Sequence, residues 1–136
     1  MFIFATEMFS FEPYDVSDNG EPVGVVGVGS MHVSGAYLDS WLHSVLRCSL
    51  EALEGAASGA IDLVEEGTKL QFRVERNCLI LAFGEQQGKV GDLHVVAKEL
   101  VADARSLLGQ HDIANPILRS EIEATIERIK AILEDL

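Results

Sequence analysis

The first lysine or arginine in this chain of 136 residues is Arg47. Before it stand six acids: Glu7, Glu12, Asp15, Asp18, Glu21 and Asp39. Residues 47–68 set Glu51, Glu54, Asp62, Glu65 and Glu66 against Arg47 alone. Nearly all of the net charge of −12 is therefore carried by the first half of the chain. A field of this sign repels phosphate backbones and anionic headgroups, so neither nucleic acid nor membrane is expected as a partner. It speeds encounter with a basic protein. An acidic shell kept for solubility gives the same count.

Cysteine is also scarce. Cys48 and Cys78 make no disulfide framework. No apolar run approaches the length that spans a bilayer. The opening stretch MFIFATEMFSFEP has no basic region and is interrupted by Glu7 and Glu12, unlike a secretory leader. A cytoplasmic location is the expectation. There is no internal repeat, low-complexity tract or linker, so residues 1–136 are expected to form a single domain. At 48% hydrophobic residues the chain is too apolar for disorder and can bury a core without metal or disulfide staples.

The patterning predicts an α+β domain. Phe9 and Phe11 alternate with Ser10 and Glu12 in a strand reaching from about Phe2 to Phe11, and Asp18-Asn19-Gly20 then reads as a turn. The Val-rich run from Pro22 to Ser34 reads as the second strand of an N-terminal hairpin. From Tyr37 to Ala57 the period changes: Leu38, Trp41, Leu42, Val45, Leu46, Leu50 and Leu53 make the stripe of an amphipathic helix closed near Gly55 and Gly59. Residues 60–84 read as a three-stranded meander turning at Glu66-Gly67 and Arg76-Asn77, with the strand from Leu79 to Phe83 apolar on both faces and hence central. Residues 92–108 allow two readings: one helix capped by Asp92 and closed by Gly109, or a strand through Leu93, Val95 and Ala97 before a helix from Glu99 to Leu108. The second is preferred, since a meander edge is open to pairing. Asn115 and Pro116 start a last helix, striped by Leu118, Ile122, Ile126, Ile129, Leu133 and Leu136. The expected architecture is an antiparallel sheet of about five to six strands, hairpin plus meander, packed against the amphipathic helix and the C-terminal helix.

Residues able to carry chemistry are thinly spread. The glycines at 24, 27 and 29 lack the preceding strand, the following helix and the third glycine of a dinucleotide fingerprint, for His32 stands where that glycine belongs. No Walker lysine follows either. His32, His43, His94, His111, Cys48 and Cys78 fall at no structural zinc spacing, so no metal and no cofactor is expected. Ser30, His32 and Ser34 share one strand face without a nucleophile elbow around them. Glu65 and Glu66 point to opposite faces and form no general acid–base couple. No catalytic residue is assigned, and the chain reads as a binding protein rather than an enzyme.

The succession of hairpin, helix with Trp41-Leu42, meander containing EEGTKLQFRVERNCLILAFG, and closing helix resembles small acidic bacterial immunity proteins of the polymorphic and contact-dependent toxin systems. The resemblance is one of pattern and size over Trp41 to Gly84 plus the closing helix, and it transfers no functional residue. It implies a domain that occludes a toxin's catalytic domain, often a basic nuclease, without chemistry of its own. The acids Asp15, Asp18, Glu21, Glu51, Glu54, Asp62, Glu65 and Glu66 are the candidate contacts for that basic partner. Two alternatives stand beside it. One is an orphan enzyme or ligand binder with a pocket between sheet and helices, using His32 or His94. The other is a homo-oligomer paired through the C-terminal stripe.

Overall fold

The computed structural model describes residues 4–5, 9–18, 20–28, 31–63, 68–110 and 115–135. Along the chain run β1 (Phe4–Ala5), β2 (Phe9–Val16), β3 (Pro22–Val28), β4 (Met31–Tyr37), α1 (Leu38–Leu53), β5 (Ser58–Leu63), β6 (Thr68–Glu75), β7 (Cys78–Phe83), β8 (Gln86–Asp92), α2 (Leu93–Gln110) and α3 (Pro116–Glu134). The fold is α+β with antiparallel strands, as the patterning predicts. The strands do not form one sheet of five or six. They make two four-stranded sheets, ordered β1-β2-β3-β4 and β5-β6-β7-β8. The reason is the route of the chain: α1 leaves edge strand β4 of the first sheet and delivers the chain to edge strand β5 of the second. Hairpin and meander therefore never share a ladder.

Two further expectations are corrected. The run from Pro22 to Ser34 is not one strand but the hairpin β3–β4, with Val26 opposite Val33 and Val28 opposite Met31. Val26 and Val28 are buried at even positions, Met31 and Val33 at odd ones. This flip of inward parity marks a reversal, because side chains in a continuous strand keep their parity. Residues 29–30 lie outside the described residues, as does the expected turn at Glu66-Gly67. The second correction concerns Leu93, Val95 and Ala97, which are helical. The meander does gain a fourth strand, but it is β8, earlier in the sequence and carrying only Gly88 and Val90 as buried positions. The single-helix reading holds at its start, where the Asp92 carboxylate accepts from the N–H groups of His94 and Val95 at 3.1 and 3.2 Å. Gly109 does not close α2, which runs through it to Gln110.

Local chemistry explains the remaining elements. Arg76 and Asn77 both take positive φ, 50° and 64°, in the two-residue β6–β7 turn, the geometry that matches strand twist in tight hairpins. Gly55 at φ 107° closes α1. Asn115 accepts from the N–H groups of Ile117 and Leu118, with Pro116 at the first helical position. On α3, Ile122, Ile126 and Ile129 are buried, so the middle of its stripe faces the chain's own core. Among the described residues no helix is long and apolar enough to cross a membrane.

The core lies around α1, which packs on α2, α3 and strands of both sheets. Trp41, Leu42, Val45 and Leu46 are fully buried, and the Trp41 ring lies 5.1 Å from that of Phe83 at the end of β7. The sheets meet where β8 crosses the end of β3. A Cβ on Gly88 would stand 1.9 Å from the Val28 carbonyl oxygen, a backbone atom that cannot swing aside. Nearby, the His32 N–H donates to Gln86 Oε1 at 3.2 Å.

Gly88→Ala is therefore expected to cost about 3 kcal/mol, the upper range for overpacking. Gly109→Ala, in a helix with open space at the added methyl, should instead stabilise by up to about 1 kcal/mol. Urea midpoints of the two variants check the pair, and equal effects would overturn the assigned contact.

Candidate functional site

The acids singled out from the sequence fall into groups with different surroundings. Asp15 is the penultimate residue of β2, where its Oδ1 accepts from the Val16 N–H at 2.8 Å, and Asp18 is exposed in the turn that follows. Glu21, expected beside them on one open loop, is only 5% exposed. Its backbone closes the turn: the Ser17 N–H donates to the Glu21 carbonyl at 2.8 Å, and the Glu21 N–H to Ser17 Oγ at 3.2 Å. Glu51 lies 3.7 Å from Arg47, Glu54 accepts from Arg128 at 2.7 Å, and Asp62 is 3.9 Å from Lys69. Glu65 and Glu66 lie outside the described residues.

Register shows which of these come together. Asp15 is opposite Val23, and Val23 is opposite Tyr37, the residue before α1. Asp15 and Asp18 therefore lie toward the start of α1, whereas Glu51 and Glu54 are at its far end. At 1.5 Å per residue the two groups are separated by about 20 Å along the helix. Among the described candidate acids, Asp15 and Asp18 have no lysine or arginine paired with them. No residue of the first sheet is a lysine or arginine, because the chain has neither before Arg47.

The same strand presents two large side chains that sequence reasoning missed. Tyr14 is 60% and Val16 64% exposed, beside exposed Glu12 and Asp15. A bulge between Pro13 and Asp15 bends this stretch and turns consecutive residues outward. The Tyr14 ring is fixed rather than loose: its Oη accepts from the Gly35 N–H at 3.0 Å and lies 3.3 Å from Ser34 Oγ. Parity signals only part of this. Counted from buried Phe11 it places Tyr14 on the other face, but the bulge then breaks the alternation, so Asp15 and Val16 are both exposed.

The chemistry candidates are dispersed. Ser34 is engaged by Tyr14, His32 is exposed, and Ser30 lies outside the described residues. Gly24 and Gly27 serve strand packing, for a Cβ at Gly24 would meet the Glu12 carbonyl oxygen at 2.0 Å, and β3 leads into a strand rather than a helix. Among the described residues no three His, Cys, Asp or Glu side chains are grouped to hold a metal. Cys48 is buried on α1, and burial pushes its thiol far above the ordinary value.

Two histidines border concavities: His94 lines a groove between α2 and α3, and His43 a second cleft. His43 faces a cleft of about 380 Å³ between α1, β5 and the start of α3, with Arg47, Asp62, Asn115 and Glu121 around it. Its Nδ1 lies 3.8 Å from Glu121 Oε2. Burial lowers its pKa below 6.5, with Arg47 acting the same way and Glu121 opposing. The cleft mixes both charge signs around one neutral imidazole. No family model, curated protein or solved structure matches the chain.

Folded His43 takes up a proton less readily than unfolded His43, so its contribution is fully present above pH 6.5 and is lost as the pH falls through the lower folded value. The urea midpoint of His43→Gln should therefore change less than that of the parent between about pH 7.5 and about pH 5. Parallel pH profiles would rule His43 out as the source.

Proposed function

We propose that this chain is a non-enzymatic protein-binding domain whose β2 face docks on a basic protein. One observation carries the reading. Tyr14 and Val16 stand exposed among Glu12, Asp15 and Asp18 on a sheet that contains no lysine or arginine. Elsewhere six described acids are paired with a lysine or arginine of the same chain, as Glu51, Glu54 and Asp62 are with Arg47, Arg128 and Lys69. An unanswered negative field steers a basic partner, and an anchored aromatic ring supplies the apolar contact that slows its departure.

The resemblance to small acidic bacterial immunity proteins fits the same reading and narrows the partner to a toxin's catalytic domain, such as a basic nuclease. In that role the domain acts in the cytoplasm and works by occlusion, so no catalytic group of its own is required. Polar and apolar contacts divide the work. Glu12, Asp15 and Asp18 set the rate of approach, and Tyr14 and Val16 set the lifetime of the complex.

The test starts with capture of the tagged chain on the lysate of the cells that make it, eluted with salt. Binding kinetics of the retained basic protein then follow. Asp15→Asn with Asp18→Asn should slow association and flatten its salt dependence. Tyr14→Ala should speed dissociation by about thirtyfold, corresponding to about 2 kcal/mol. Recovery of the bait alone, or kinetics indifferent to all three changes, would sink the reading.

A further inference from the structure

The cations of this acidic chain are unevenly employed. Six of the ten, Arg47, Lys69, Arg73, Arg105, Arg119 and Arg128, lie within 2.7–3.9 Å of a carboxylate oxygen. Among the described residues the other four, Arg76, Lys89, Lys98 and Lys130, have no such partner. Of these, Lys98 and Lys130 line one groove between α2 and α3. Lys130 is half-buried, and it forms no ion pair with Glu134 four residues later, although the spacing permits one.

The groove has a volume of about 560 Å³, within the range that encloses one small molecule. Val95, Val101 and Leu133 supply apolar wall, and Val95 remains 54% exposed. Around them stand Lys98, Lys130, Arg105, His94 and a single lining acid, Glu134. Arg105 is engaged by Glu127 at 2.9 Å and His94 Nδ1 faces Asn77 Nδ2 at 3.5 Å, so the two lysines are the cations free to meet a ligand. Lysine stems lie along apolar surface while their ammonium heads stay mobile at the rim. Two such heads against one acid complement a single negative charge attached to an apolar body.

We infer that the α2–α3 groove binds a small amphipathic carboxylate, its hydrocarbon part against Val95, Val101 and Leu133 and its carboxylate between Lys98 and Lys130. The site is independent of the β2 face and stands whether or not that face docks a protein. An acidic peptide shares the charge but not the size, because the concavity is limited to one small molecule.

The experiment is a titration of the isotope-labelled full chain with sodium octanoate, followed through backbone amide shifts. Octan-1-ol and a short glutamate peptide serve as the comparison probes. Octanoate should give saturable shifts confined to residues 93–105 and 130–134, with octanol at least about tenfold weaker. Lys98→Gln with Lys130→Gln should weaken octanoate by about tenfold and leave octanol unchanged. Both residues lie on the surface of their helices, and an otherwise unchanged amide spectrum shows that the variant is folded. Equal binding of octanoate and octanol, shifts elsewhere, a response only to the peptide, or no saturation by about 5 mM would each overturn the assignment.

Discussion

The carbonyl oxygen of Val28 and the α-carbon of Gly88 are pressed together so closely that no side chain fits between them. On that contact depends the way two separate antiparallel sheets share a single core. Each sheet has one apolar face, and neither face is covered by the other over its whole width. Helix α1 covers both, with Trp41, Leu42, Val45 and Leu46 shut off from solvent. The helix can do this only if the sheets converge at one side, which is where β8 crosses the end of β3. Pushed apart there, they would leave Trp41 and Phe83 without the tilted ring contact that ties helix to meander.

How much of this was legible in the sequence depended on whether a segment stated its own period. The stripe from Leu38 to Leu53 specifies α1, and Asn115-Pro116 specifies the start of α3 almost to the residue. Leu70 and Phe72 are buried in β6 while Gln71 is exposed, as their alternation requires. Strand β8 was hidden because its inward positions include a glycine, and a glycine chosen for close approach leaves no hydrophobic trace. The β3–β4 hairpin was hidden for a different reason: both arms are valine-rich, and only the shift of buried parity between Val28 and Met31 betrays the reversal.

The candidate site was legible in composition and not in arrangement. Counting acids located the charge but could not tell which carboxylates Arg47, Lys69 and Arg128 would neutralise, since Arg128 reaches Glu54 across 74 positions of the chain. Composition also counted Glu21 with the open acids, whereas the fold buries it. The outcome is a molecule divided electrically along its architecture. The first sheet is acidic without counter-charge, and the meander and helices neutralise much of their own. Two lysines are left over between the last helices.

Cys48 gives this core a chemical property of its own. The thiol is buried in α1, and removal from water raises its pKa, with Glu51 reinforcing the effect, so the reactive thiolate is almost absent while the chain is folded. Cys78 is half-buried at the start of β7. An alkylating reagent therefore meets one sulfur near the surface and another that reacts only when α1 leaves its sheets. With Cys78→Ser, the rate of modification at Cys48 reports how often α1 leaves its sheets, under native conditions and at a cysteine the chain already carries.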